Sequence, residues 1–253
     1  MLSKNTIKYL HSLQLKKNRV ACGAFLVEGA KSVLEALTSD FEVEMVAMTE
    51  AFGQVNGHLF KRPDFRIEIA TAEELAKAGT LQTNDTALAV LKTKPNEFLE
   101  ATSDEYVLVL DDIRDPGNLG TIIRIADWYG LSKIVCSHTT TDWYNPKVIA
   151  ASKGSFVRVR GFYTDLEVYF EQIQKISTSV NVYGTFLEGT SIYQTVFSTS
   201  GYIVLGNESH GISEATAKWV SQKITIPRFG EAESLNVGIA TAIVLDNWRR
   251  GQL

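Results

Sequence analysis

The chain has 253 residues, of which 45% are hydrophobic, and its formal net charge is −4. This length suffices for one large or two modest domains with a buried core, and the charge argues against a protein that is basic throughout. The longest apolar runs fall short of the roughly 18 residues of a membrane span, and the N-terminus lacks the apolar region of a signal peptide, so we expect a cytoplasmic protein without a membrane partner.

Cysteine and histidine are both sparse. Cys22 and Cys136 lie far apart in the sequence, without the spacing of a metal site and too few for a disulfide framework. The histidines, at positions 11, 58, 138 and 210, form no HxxxH pair. The sequence therefore predicts no bound metal.

The N-terminal segment is basic, because no acidic residue precedes Glu28. Its cationic residues are Lys4, Lys8, Lys16, Lys17 and Arg19. If the segment is helical, Lys4, Lys8 and His11 share one face. Such a face is either an ordinary solvated surface or an edge that binds phosphates, and the charge pattern leaves both open.

Short apolar strands alternate with helices over the first third of the chain. The predicted strands are residues 25–28, 43–48, 65–69 and 86–91, and a helix is predicted at 30–37. Another helix should follow Thr71, since Thr71 and Glu74 have capping-box spacing and Gly79 is typical of a helix end. We predict a small α/β domain at 1–91 and a linker at 92–105, where Pro95 lies in a stretch of little periodicity.

A second domain is predicted for residues 106–253. The apolar run at 106–113 is typical of a buried parallel strand. Further predicted strands lie at 133–136, 157–160, 181–185, 202–205 and 223–226, and helices are predicted to begin near Thr121, Pro146, Leu166, Glu214 and Ser234. Ser234 is expected to cap the last helix. This alternation predicts a mostly parallel α/β sheet with helices on both faces.

Three loops of this domain pass from a strand through a turn rich in Gly, Asn and Ser into a helix. They cover residues 115–120, 205–211 and 226–236. In an open parallel sheet such loops lie at the carboxyl ends of the strands, where ligands bind. The fingerprints GxGxxG, GxxxxGK[ST] and GxSxG are absent, which disfavours hydride transfer, NTP hydrolysis and acyl transfer.

The loop sequences resemble a known family. Residues 115–126 read DPGNLGTIIRIA, residues 204–212 read VLGNESHGI, and residues 226–237 read IPRFGEAESLNV. Together they resemble the three motifs of the SpoU (TrmH) family of RNA 2′-O-methyltransferases, of the SPOUT class. Residues 1–91 resemble the ribosomal-protein-like domain with which many members bind substrate. The chain departs from the family at Ser209, where Gly is common.

The resemblance implies a C-terminal domain with a deep trefoil knot, a homodimer, and S-adenosylmethionine as cofactor. It also implies transfer of the methyl group to a ribose 2′-OH in structured RNA, most often ribosomal RNA. The implied catalytic residues are Asn118, Arg124, Glu208, Ser234 and Asn236. The implied cofactor contacts are Leu205, Gly206, Ile226 and Leu235. Lys16, Lys17 and Arg19 are then candidate RNA contacts.

A ribose 2′-OH is a poor nucleophile, so the site must help it lose its proton and hold it in line with the methyl group. Arginine has a pKa above about 12 and is a poor base. We therefore expect Arg124 to position a phosphate and to stabilise alkoxide charge. The alternatives are methylation of transfer RNA, methylation of a base nitrogen, and a non-catalytic dimeric RNA-binding protein.

Overall fold

The computed structural model describes residues 1–61, 64–80, 84–177 and 180–252. Its helices are α1 (Lys4–Ser12), α2 (Lys16–Cys22), α3 (Ala30–Leu37), α4 (Glu50–Val55), α5 (Ala72–Ala78), α6 (Pro116–Trp128), α7 (Pro146–Ser152), α8 (Leu166–Ile176), α9 (Glu214–Ala217) and α10 (Val237–Arg250). Its strands are β1 (Ala24–Glu28), β2 (Val43–Met48), β3 (Arg66–Ile69), β4 (Ala87–Lys92), β5 (Tyr106–Leu110), β6 (Lys133–Ser137), β7 (Arg160–Thr164), β8 (Val182–Ser191), β9 (Gly201–Leu205) and β10 (Gln222–Thr225). They form two compact units.

The first unit comprises Met1–Pro95 and Asp142–Val157. Its sheet has the strand order β1-β4-β2-β3, in which β4 runs antiparallel to both neighbours and β2 runs parallel to β3. Because side chains alternate along a strand, the sheet buries an apolar layer on each face. Phe25 and Val46 belong to one layer, and Leu26 and Met45 to the other. Helix α5 has the capping box that the sequence predicts.

The segment Asp142–Val157 leaves the second unit between β6 and β7 and packs in the first. The ring of Tyr144 lies 4.4 Å from that of Phe25, and the ring of Phe156 lies 5.9 Å from it. Our sequence-based division assigns these residues to the second domain, whereas their aromatic side chains complete the core beside β1. Helix α7 begins at Asn145-Pro146 as predicted, but the strand predicted at 157–160 is β7, which begins at Arg160.

The second unit comprises Asn96–Thr141 and Arg158–Leu253. Its sheet has the strand order β10-β8-β9-β5-β6-β7, and every described pair of neighbours is parallel. The predicted parallel α/β sheet is therefore confirmed. The trefoil knot stays a prediction of the resemblance. No helix in the described part of the chain is long and apolar enough to cross a bilayer.

Two helices begin elsewhere than predicted. Helix α6 starts at Pro116 rather than near Thr121, because Asp115 caps it by accepting a hydrogen bond from the Asn118 amide at 2.8 Å and proline suits the first helical position. Helix α10 starts at Val237, beyond Ser234. Helices α6 and α10 pack against each other, with Gly238 facing Thr121.

Candidate active site

The carboxyl edge of the six-stranded sheet brings the motif loops together. Leu110 at the end of β5 pairs with Leu205 at the end of β9, and the Asp111 amide donates to the Leu205 carbonyl at 2.9 Å. The loops that follow these strands therefore leave the sheet side by side. This is the position that the parallel topology predicts for a ligand site.

Asn118 connects all three loops through its side chain. Its Nδ2 donates a hydrogen bond to Oε1 of Glu208, and its Oδ1 accepts one from Nδ2 of Asn236 at 2.9 Å. A carboxylate only accepts, so this arrangement fixes the orientation of the Asn118 amide. Three of the five predicted catalytic residues thus form one hydrogen-bonded cluster, which we call the Asn118 cluster (Asn118, Glu208 and Asn236).

Asn236, not Ser234, caps the last helix. Its Oδ1 accepts hydrogen bonds from the amides of Gly238 at 3.0 Å and Ile239 at 3.3 Å. The predicted cap at Ser234 is wrong, because the amide oxygen of Asn236 satisfies the free N–H groups of the first turn. Ser234 lies in an exposed loop and makes no side-chain hydrogen bond within the described residues. Asn236 therefore fixes both the helix start and the Asn118 cluster.

Arg124 lies on the third turn of α6 and is exposed. The buried side chains of Ile122, Ile123 and Ala126 provide the packing of this turn. Among the described residues the Arg124 guanidinium has no hydrogen-bond or ion-pair partner. Its fork of N–H donors is therefore available to a ligand.

The predicted cofactor residues combine tight backbone with apolar surface. A Cβ on Gly206 would lie 2.1 Å from the carbonyl carbon of Gly211, so only glycine fits there. Gly211 itself has a φ of +69°, and Asn207 and Gly211 form an antiparallel bridge. Leu205 is buried, Ile226 is half-buried and Leu235 is 46% exposed. A closely approachable backbone beside apolar side chains suits the adenosine and thioether parts of S-adenosylmethionine.

The sequence predicted a strand only at 181–185 and missed the residues that follow it in β8. Strand β8 lies between β9 and β10, and Thr185 Oγ1 donates to the Val204 carbonyl at 3.2 Å. Further along, Thr225 Oγ1 donates to the Leu187 carbonyl at 3.0 Å. This segment thus sits between the loops of Gly206 and Ile226. The signal that could have identified this segment is its position at the carboxyl edge of the same parallel sheet.

The candidate RNA contacts fall into two groups. Lys16 and Lys17 are exposed at the start of α2. Arg19 is only 3% exposed; its Nη2 lies 2.5 Å from Asp142 Oδ2, and its Nη1 donates to the carbonyls of Leu13 and Gln14, each at 2.8 Å. A buried guanidinium that is already paired with a carboxylate and two carbonyls is not available to a phosphate. We therefore withdraw Arg19 as an RNA contact.

Within the described residues, no group of three or more His, Cys, Asp or Glu side chains is placed to hold a metal ion. Cys136 is buried in β6, and burial raises the pKa of its thiol. The polar side chains of the predicted catalytic residues are amides, a carboxylate, a guanidinium and a hydroxyl group.

Comparison with known proteins identifies the family. A model of the SpoU rRNA Methylase family matches residues 105–246, and one of the MRM3-like substrate binding domain matches residues 4–89. The chain is 31% identical over 245 residues to the 23S rRNA (guanosine(2553)-2'-O)-methyltransferase RlmP of Bacillus subtilis, covering 96% of this chain and 95% of that protein.

Solved structures agree in fold over the whole chain. A TrmH-family protein from Porphyromonas gingivalis superposes with a TM-score of 0.88 at 34% identity, covering 99% of both chains. An AdoMet-bound rRNA methyltransferase from Sinorhizobium meliloti gives a TM-score of 0.87 at 27% identity, covering 100% of this chain and 97% of that one. The chain therefore belongs to the SpoU rRNA methylase family, as its three motifs predicted, and is a methyltransferase.

Proposed function

We propose that the protein transfers a methyl group from S-adenosylmethionine to a ribose 2′-OH of ribosomal RNA. The observation that carries this proposal is the Asn118 cluster, which joins three motif loops at the start of α6, the helix that also carries the exposed Arg124. The Bacillus subtilis relative acts on a guanosine of 23S rRNA, which favours ribosomal over transfer RNA as substrate. Ribosomal RNA as substrate also makes the cytoplasm the expected place of action.

The chemistry of each predicted catalytic residue determines its proposed role. S-adenosylmethionine, when bound, supplies an electrophilic methyl group on a sulfonium. Arg124 holds the phosphate beside the target ribose and stabilises the negative charge that develops on the 2′ oxygen. The Asn118 cluster fixes Glu208 as a hydrogen-bond acceptor at the same edge. Ser234, whose hydroxyl has no partner among the described residues, provides a further donor or acceptor to the ribose.

Cofactor contacts are proposed for the glycine turn and its apolar neighbours. Leu205 and Gly206 offer backbone at the end of β9, while Ile226 and Leu235 offer apolar surface from the loop after β10. Lys16 and Lys17 are proposed to bind RNA phosphates, which agrees with the match of the first unit to a substrate binding domain.

We further propose a homodimer that forms through the exposed face of α6. Trp128 is 81% exposed and lies four residues after Arg124, so both side chains project from one face. Ile239 on the neighbouring helix α10 is also exposed. Trp128→Glu should convert a dimer into a monomer in sedimentation-velocity measurements, whereas Val55→Glu, at another exposed apolar residue, should not.

The test of function is a methylation assay with the full chain. Methyl-labelled S-adenosylmethionine is supplied with protein-free bacterial 23S rRNA, 16S rRNA or bulk transfer RNA. We expect label in ribosomal RNA at a nucleotide whose 3′ linkage resists alkaline hydrolysis, as a 2′-O-methyl group requires. Label confined to transfer RNA, or attached to a base, would identify the corresponding alternative. Cofactor binding without transfer to any RNA would favour the non-catalytic protein.

A further inference from the structure

Asp112, the second residue after β5, has a backbone conformation that is rare for its type. Its φ is +61°, in the left-handed region that non-glycine residues seldom adopt. Two neighbouring loops hold it there: its amide donates to Ser137 Oγ at 2.9 Å, and its carbonyl accepts from Asn207 Nδ2 at 2.8 Å. Strained positions of this kind gather at functional sites, because the surrounding structure must stabilise them.

The carboxylate of Asp112 holds the arginine two residues further along the same loop. Its Oδ1 accepts a hydrogen bond from Arg114 Nε at 3.0 Å, and Asn207 Nδ2 lies 3.2 Å from its Oδ2. Burial alone would raise the pKa of Asp112, but hydrogen bonds from Arg114 and Thr139 and the charge of Arg114 outweigh it and hold the pKa below its usual value. The Arg114 side chain remains 71% exposed. Asp112 thus fixes its direction without covering it.

This pair adjoins the Asn118 cluster through consecutive residues of one loop. Asn207 bonds to Asp112, and Glu208, the next residue, bonds to Asn118. Arg114 is therefore linked to the Asn118 cluster through Asp112 and the consecutive residues Asn207 and Glu208.

The free part of the Arg114 guanidinium determines what it can bind. Nε is engaged by Asp112, and within the described residues the two terminal nitrogens have no hydrogen-bond partner. They form a planar pair of donors that matches the O6 and N7 acceptors of guanine. A phosphate binds best to a group with net positive charge, but the Asp112 carboxylate neutralises the charge of Arg114. A neutral base is therefore the better match for this arginine.

Resting on the proposed function, we propose that Arg114, oriented by Asp112, reads the guanine base of the nucleotide that the enzyme methylates. Arg114 is then a specificity-determining residue, and Asp112 is its positioning residue. Adenine at that position presents a donor where guanine presents O6, so it opposes the arginine donors and is rejected.

The test compares transcripts that carry guanosine or adenosine at the mapped methylation site. For wild type, kcat/KM should favour guanosine by about tenfold or more, the scale of one bidentate contact. Arg114→Ala should lose most activity on guanosine and bring the ratio near one. Arg114→Lys should not restore it, because a single ammonium lacks the planar pair of donors. Arg160→Ala is the matched control. This exposed arginine begins β7, at the amino ends of the strands and away from the motif loops, so its substitution should leave the ratio unchanged.

Asp112→Gly separates positioning from folding, because glycine accepts the positive φ and leaves the main-chain bonds intact. We expect its melting temperature to stay near wild type and the guanosine preference to fall. RNA binding should become more dependent on salt, since Arg114 then keeps its full charge.

Three results overturn the inference in different ways. If Arg114→Ala lowers activity on both transcripts equally and reduces the salt slope by roughly 0.9, Arg114 is a phosphate contact, and the proposed function stands. A wild-type enzyme that methylates a nucleotide other than guanosine also excludes base reading of this kind. If wild type methylates no RNA at all, the proposed function fails and the inference fails with it.

Discussion

The helices of the two units hold arginines in opposite environments. In the first unit Arg19 is bound to Asp142, Lys92 to Glu44 at 2.8 Å and Lys94 to Asp40 at 2.5 Å. In the second unit, Arg124 on α6 is exposed without a partner among the described residues. Both arginines lie on helices of mixed composition, so only the packing distinguishes a structural cation from one that is available to substrate.

The sharpest way to test this difference is to remove Arg124. Arg124→Ala should lower methyl transfer by about two orders of magnitude or more, the scale of losing a preorganised electrostatic donor, while the melting temperature and cofactor affinity stay near wild type. Arg124→Lys should also be poor, because lysine lacks the bidentate fork. Single-turnover assays, thermal unfolding and cofactor titration measure these three quantities. Full activity in the folded Arg124→Ala variant would exclude the catalytic role.

Removing Arg19 should lower folding stability, in contrast to the removal of Arg124. Arg19→Ala leaves Asp142 and two carbonyls without their donor, and should lower the free energy of unfolding by about 2 kcal/mol, less than for a fully buried pair because Asp142 is partly hydrated. Urea unfolding measures the loss, with exposed Lys17→Ala as control, expected within about 0.5 kcal/mol of wild type. An Arg19→Ala protein of normal stability that binds RNA weakly would return Arg19 to the substrate surface.

The start of α10 allows stability and function to be separated at neighbouring residues. Asn236→Ala should cost about 1 kcal/mol of folding free energy, since it removes the cap, and should also lower methyl transfer. Ser234→Ala should leave the stability within about 0.5 kcal/mol of wild type. Its methyl transfer should fall by about tenfold, as expected for one hydrogen bond to a reacting group. Equal stability losses in the two variants would contradict the cap at Asn236.

The smallest expected effect concerns the exposed lysines of α2. Changing Lys16 and Lys17 together to Ala should weaken RNA binding a fewfold at moderate salt. Two phosphate contacts at roughly 0.9 each should flatten the log-log salt dependence by about 1.8. Lys31 and Lys175, also exposed, provide a matched double substitution at other positions. If both double variants keep the wild-type slope, the lysines form an ordinary solvated surface.

Periodicity and capping rules identified most elements of the fold because those signals are local. Helix α8, the capping box of α5 and the Asn145-Pro146 start of α7 follow from residues a few positions apart. The errors arose where several candidate caps lay close together. At α10, Ser234 and Asn236 both have suitable side chains, and the register of the first turn, which depends on packing against α6, decides between them.

For the candidate site, the motifs indicated which residues belong together but not how they are joined. The bonds from Asn118 to Glu208 and Asn236 depend on sheet register, which brings together residues far apart in the chain. The role of Arg19 could not be predicted, because its partner Asp142 lies 123 positions away. Asp112 also gave no signal, since its φ follows from contacts with Ser137 and Asn207 rather than from its neighbours in sequence.

Because Asp142–Val157 packs in the first unit, that unit cannot be exchanged between proteins as one continuous piece of sequence. A recombination that replaced only residues 1–95 would remove the sheet against which Tyr144 and Phe156 pack, and would leave their aromatic rings exposed to water. Such chimeras should aggregate unless the new first unit offers a matching apolar groove. A transplant of the substrate-binding unit therefore has to carry two pieces of sequence, and the shorter piece must be spliced between β6 and β7 of the recipient enzyme.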